Sequence, residues 1–277
     1  MTARLPKFAN PPVVETLLGV QFDPLVKMRI TDYGLFWDRI RDDFPVVEEH
    51  PPLQPAVESP STRPLVHASA QWRIGGNFPL PRVWYRAVAN ELAAGQYRGI
   101  QLQPDRFMQN WMRSARDSSR YPSYEANRAE FLKYLNIFNK FASDRNLDPL
   151  NPNQCEVTYV NRIPLEMELD AVFQYCFPSL TVKRSTDFLP KPESLNYVTS
   201  FQMGPGNGRL HVLIRGPVSL EPGGSVIDFR LTARGAPKGR AVDDVMRWLD
   251  LGREWVVRGF HCLTSAEMHR KWGYEND

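Results

Sequence analysis

Three cysteines in 277 residues are too few, and the wrong number, for a disulfide framework. Cys155, Cys176 and Cys262 form no C-x-x-C pair, so a cysteine-rich zinc site is excluded and a reducing compartment fits best. A strong charge of either sign is missing as well. Lys and Arg number 34 against 31 Asp and Glu, a formal charge of +3, too small for bulk attraction to a polyanion. No apolar run approaches the ~20 residues that span a bilayer. The opening MTARLPKFANPP lacks the apolar core of a signal peptide. A soluble, cytoplasmic protein without membrane contact is expected. Three catalytic signatures are absent too: the Walker-type phosphate loop, the G-x-S-x-G elbow and the H-E-x-x-H pair.

What is present is apolar and aromatic. The 42% hydrophobic fraction, with 7 Trp, 10 Tyr and 15 Phe, supplies a full core. The length exceeds the roughly 100–200 residues of a common domain, so one large or two fused units are expected. Val14, Thr16, Leu18, Val20 and Phe22 alternate with Glu15, Gly19 and Gln21, the period of a half-buried strand. Tyr33, Phe36, Trp37, Ile40 and Phe44 then share one helical face, with Thr31 or Asp32 as cap and Pro45 as stop. Six prolines between 45 and 65 make the next segment stiff, extended and unfit for a sheet interior.

Strands are expected at 70–74, 82–89, 97–103 and 107–113, the last two joined by a Pro104-led turn. A long helix follows over 123–144, with Phe131, Leu135, Phe138 and Ala142 on its apolar stripe. The Asn-, Asp- and Pro-rich stretch 145–154 is a candidate boundary. Beyond it come an alternating strand at 155–163, a short helix at 170–177, and strands at 195–203, 209–216 and 225–233. A helix over 241–262 and a short last helix complete the chain, the latter opened by a Thr264–Glu267 capping box and ended by Gly273. The order strand, helix, antiparallel meander, long helix occurs twice. The expected fold is therefore α+β, in two tandem halves, 1–150 and 151–277, with the helices on one face of the sheets and the other face left for a partner. The two halves side by side would also suit one continuous domain.

PPVVE at 11–15, GVQFDPL at 19–25, FWDRIRDDFPVVEEHPPL at 36–53, QLQPDRFMQNWMR at 101–113, YPSYE at 121–125 and the closing LTSAEMHRKWG at 263–273 carry a resemblance. They resemble a family of proteins of similar length, sporadically distributed among bacteria and archaea. The resemblance implies no reaction and supplies no catalytic residues. Scattered distribution implies mobile genes, such as those of phage-defence or toxin–antitoxin operons, and with them a protein partner encoded nearby.

Three chemistries are weighed from the residues themselves. Glu48 and His50, on a proline-stiffened strip, would form an acid–base or metal site if completed by Glu15. The plainer reading is a solvated loop. Arg106, Arg113 and Arg116, with Asn110, Trp111 and Tyr121, mix cations and aromatic rings as single-stranded nucleic-acid sites do. The same residue types dominate protein interfaces. His211 is expected to meet Asp228 or Arg230 across the meander, and His261 and His269 to cap or pack. GPGNG at 204–208 has no following helix and is a turn. No cofactor motif is present, so no cofactor, metal or catalytic residue is expected. A non-enzymatic binding protein is the first reading, an RNA- or single-stranded-DNA-binding module the second, and a hydrolase on Glu15, Glu48 and His50 the third.

Overall fold

The computed structural model describes residues 4–58, 80–87, 96–113, 121–180, 188, 190–220 and 223–275. In chain order the elements are β1 (Lys7–Phe8), β2 (Val13–Phe22), α1 (Ile30–Trp37), β3 (Val46–His50), β4 (Arg82–Arg86), β5 (Gln96–Gln103), β6 (Arg106–Arg113) and α2 (Tyr124–Asp144). They continue with β7 (Pro152–Pro164), α3 (Leu169–Cys176), β8 (Leu195–Gln202), β9 (Arg209–Ser219), β10 (Ser225–Gly235), α4 (Val242–Leu263), α5 (Ala266–Lys271) and β11 (Tyr274–Glu275). The fold is α+β. Nine strands form one antiparallel sheet in the order β3-β4-β5-β6-β2-β7-β10-β9-β8, and β1 pairs separately with β11. The expected strand at 70–74 lies outside the described residues.

The period-two pattern in β2 places Leu18, Val20 and Phe22 on one face, which becomes the apolar face. Phe107 of β6 lies 5.7 Å from both Phe131 and Phe138 of α2. Phe36 of α1 reaches Tyr85 of β4 at 5.6 Å and Phe138 at 5.2 Å. Beyond β7, Phe229 of β10 packs on Phe177 at 4.9 Å and on Phe260 of α4 at 5.8 Å. Phe173 of α3 approaches Tyr197 of β8 at 6.2 Å. These rings favour edge-on and offset contacts and bury large areas each.

Most boundaries follow the sequence pattern, and three departures have a local cause. The first helix ends at Trp37, not at Phe44. Residues 38–43 are turns in which the N–H groups of Arg39 and Ile40 donate to carbonyls three residues back, and Ile40 and Phe44 still reach the core. Its cap is also different, because Arg29 N–H donates to the Asp32 carboxylate at 2.8 Å. At the last helix the cap is Ser265, whose Oγ accepts from Met268 N–H, while Thr264 donates backward to the Phe260 carbonyl. The prolines at 45 and 51 do confine Val46–His50 to a sheet edge. In the 204–208 turn, Gly208 has φ +99 and an added Cβ would sit 2.0 Å from the Arg234 carbonyl oxygen, so only glycine fits.

Phe138, fully buried against Phe22, Phe36, Phe107 and Phe141, joins α1, α2 and the sheet. Phe138→Ala is expected to cost roughly 3–5 kcal/mol by urea denaturation, whereas Val198→Ala, at an exposed site on edge strand β8, stays within about 0.5.

Candidate functional site

The face opposite the apolar one is built by the intervening residues of every strand. Register fixes its rows. Gln103 of β5, Arg106 of β6, Gln21 of β2 and Gln154 of β7 stand directly opposite one another in sequence across four strands. Residues 51–58 cross this row as a strap. Leu53 N–H donates to Gln103 Oε1 at 3.0 Å, Ala56 N–H to Gln21 Oε1 at 3.1 Å and Glu58 N–H to Gln154 Oε1 at 3.1 Å. Arg106 Nη2 holds the Gln54 carbonyl at 3.0 Å. A proline-rich chain makes few backbone bonds of its own, and the side-chain amides replace them.

The strap ends in an ion cluster. Glu58, almost fully buried, accepts from Arg209 Nη1 at 2.8 Å and from the His211 ring. Burial alone would raise the Glu58 carboxyl, but the His211 and Arg209 hydrogen bonds outweigh it and bring its pKa down to about 2. His211 therefore meets Glu58, not Asp228 or Arg230 as its strand neighbours suggested, because the strap delivers a carboxylate from 153 residues away.

A second network runs along the centre of this face with one hydrogen-bond direction. Arg82 Nη1 donates to Gln101 Oε1 at 2.9 Å, Gln101 Nε2 to Asn110 Oδ1, and Asn110 Nδ2 to Glu15 Oε1 at 2.9 Å. The relay links β4, β5, β6 and β2, from a guanidinium to a carboxylate. Burial raises the Glu15 pKa, opposed by the Asn110 bond and by Arg230 and Arg162. Past Glu15 stand Asp228, Arg162 and Arg215, with Arg215 Nη2 at 3.1 Å from Asp228 Oδ2. At the other edge Arg82, Trp84 and Arg86 share the face with Tyr97 and His50. Arg82 lies 5.2 Å over Trp84, Arg86 5.1 Å over Tyr97, and His50 4.6 Å from Trp84.

This face is not the open plate expected. Asn110, Met108 and Asp228 are buried, at 1%, 4% and 3% exposure. Eleven buried side-chain nitrogen or oxygen atoms among the described residues have no hydrogen-bond partner. Eight project here: the Nε atoms of Arg82, Arg86, Arg106, Arg162 and Arg230, the indole N–H of Trp84, the Tyr97 hydroxyl and Asp228 Oδ1. Native structures leave few such groups, so their concentration on one face is informative.

The expected arginine–tryptophan strip is divided by the sheet. Arg106 and Asn110 point to the polar face, but Trp111 is a core residue on the apolar side, 5.3 Å from Tyr121. Strand alternation permits no other outcome, so Trp111 is no stacking platform. Arg113 closes β6, and Arg116 lies outside the described residues. Glu48 and His50 are on β3 and Glu15 on β2, four strands or about 19 Å apart, so the acid–base trio does not converge. Glu48 pairs with Arg86 and lies 3.4 Å from His50. His261 and His269 stack at 4.3 Å, and His269 meets Thr264 Oγ1 at 2.9 Å. Burial raises the Cys155 thiol strongly and lifts Cys176 to about 11, which disfavours either as a nucleophile. Among the described residues no three His, Cys, Asp or Glu side chains gather as metal ligands, and no helix is long and apolar enough to cross a membrane.

Sequence reading missed Arg82, Trp84 and Arg86. Their signal was the alternation in RVWYR, which sends both arginines and the tryptophan to one face. The strap's glutamines had no such signal, since their common row depends on register. No protein-family model matches the chain, and neither does any curated protein or solved structure.

The Glu58 cluster makes stability pH-dependent. A carboxylate depressed from 4.5 to about 2 contributes stability above pH 4.5 that is lost as pH falls through about 2. Wild type should exceed Glu58→Gln by about 1–2 kcal/mol at neutral pH in urea titrations, the shift being discounted for solvent screening, and the gap should close toward pH 2.

Proposed function

We propose that this is a non-enzymatic binding protein whose polar sheet face engages an acidic partner protein. In this reading the chain is two tandem halves, 1–150 and 151–277, each laying its helices on the apolar face. The strand order supports it, since β2-β6-β5-β4 outward on one side is matched by β7-β10-β9-β8 on the other. One observation carries the functional reading: eight buried polar atoms without a hydrogen bond, seven of them able to donate, share a face rich in arginine. Two of the eight, Arg162 Nε and Asp228 Oδ1, face each other in an ion pair at 3.9 Å. Unpaired donors of this kind cost stability in the isolated chain and are recovered by an acceptor-rich ligand. The family resemblance makes the partner one encoded nearby, in a defence or toxin–antitoxin operon.

The test is affinity capture of the tagged chain from cells expressing its native gene neighbourhood. Arg230→Glu, which inverts a half-buried guanidinium without a hydrogen bond at its Nε, should abolish recovery of the neighbour, and Lys140→Glu on α2 should not. Equal recovery by both variants, or none by wild type, would remove the reading.

The Arg82–Trp84–Arg86 edge with Tyr97 favours a second reading, a single-stranded nucleic-acid site. It replaces the Arg106–Trp111 strip as the surface for that role. Binding of a single-stranded oligonucleotide should weaken steeply with salt and lose about 1–3 kcal/mol in Trp84→Ala, read by fluorescence titration. A salt-independent signal, or one unchanged by Trp84→Ala, would end it.

A further inference from the structure

On the opposite side of the sheet, between the first turn of α2 and the middle of α4, lies a cleft of about 390 Å³. That volume falls in the range of small-molecule sites. One wall is apolar, formed by Phe8, Val13, Val256, Val257 and Phe260. The other is polar, with Arg253, Tyr121 and Tyr159 set among Ser123, Glu125 and Asn161. Tyr121 and Tyr159 bring their hydroxyls within 3.0 Å of each other, and either can donate. Arg253 stands beside them with its ring-facing guanidinium 4.8 Å over Tyr124. Its guanidinium donates a hydrogen bond to Tyr159, its Nε is buried without a partner, and its contact with the exposed Glu125 is loose at 3.5 Å. The N-terminus of the 21-residue α2 opens on the same end, where first-turn N–H groups lack intrahelical acceptors.

We propose that this cleft binds a small amphipathic carboxylate, its head at Arg253, Tyr121 and Tyr159 and its hydrocarbon body along Phe8, Val256 and Phe260. The apolar wall gains by covering, and the terminal guanidinium N–H groups of Arg253 and the hydroxyl proton not shared within the Tyr121–Tyr159 pair are the donors a carboxylate accepts from. The lining's charges, Lys7 and Arg253 against Glu125 and Glu275, cancel, so a head group is held by Arg253 at close range and not by a net positive field, which disfavours a multiply charged phosphate. Burial holds the Tyr121 and Tyr159 hydroxyls well above their ordinary pKa, so they stay neutral, while the Tyr124 hydroxyl is committed to Asp250 at 2.8 Å. The walls come from the N-terminal segment, β2, β7, β10, α2 and α4, so an occupant touches both ends of the chain and the sheet centre. Binding to the folded state alone raises its stability by mass action.

The experiment is isothermal titration of the full chain with decanoate, decylamine and decanol. Saturable decanoate binding is expected in the micromolar range, with decanol weaker and decylamine absent. Arg253→Met should weaken decanoate tenfold or more. Val257→Trp, which fills the cleft, should abolish binding. Arg230→Glu on the polar face should leave decanoate affinity unchanged, which separates this site from the partner surface. Circular dichroism shows that each variant is folded, and if Val257→Trp is not, Arg253→Met decides. Absence of decanoate binding, equal binding of decylamine, or an affinity indifferent to the folded variants overturns the proposal.

Discussion

The antiparallel pairing of β2 with β7 is the joint on which the other interactions depend. It sets Thr16 opposite Tyr159, Leu18 opposite Val157 and Gln21 opposite Gln154. That single register turns two sets of strands into one nine-stranded sheet and decides which residues of all nine share a face. A slip of one residue would carry Leu18 and Val20 out of the core and Glu15 and Gln21 into it. With Phe36, Phe138, Phe173 and Phe260 packed on the strand rings of Tyr85, Phe107, Tyr197 and Phe229, such a slip is strongly opposed.

The two faces then meet different physical demands. The apolar side is closed by ring contacts that need only volume and shape. The polar side is closed by bonds that need direction: the relay from Arg82 to Glu15 and the amide rungs beneath the strap. Polar networks of this kind fix geometry when satisfied and cost stability where they are not. The unsatisfied atoms sit where the arginines crowd, between Glu15 and Asp228 and around Trp84. The face is thus ordered by its own hydrogen bonds and still holds donors without acceptors, which is the ground for the proposed contact surface.

The strap shows how segments of unlike character cooperate. Its prolines keep residues 51–58 extended, so the N–H groups of Leu53, Ala56 and Glu58 each find an amide on a different strand. Glu58 at its end is buried, and it is tolerated there because Arg209 and His211 converge on it. The strap thereby links β5 and β6 to β9, across the β2–β7 joint, without adding a strand.

Much of this was legible in the chain itself. Alternation in 13–22 and 155–163, the aromatic stripes of 124–142 and 242–260, and the glycines of 204–208 determined strands, helices and turn, because those signals act within a few residues. Tertiary structure decided what required register and long-range approach. Trp111 went to the core, although Asn110 beside it faces the polar side, because β6 alternates. Glu58 went to His211, and Gln103, Arg106, Gln21 and Gln154 became one row. Glu15 and His50 were kept four strands apart. A sequence specifies which way each side chain points along its own strand; only the pairing of strands specifies what stands beside it.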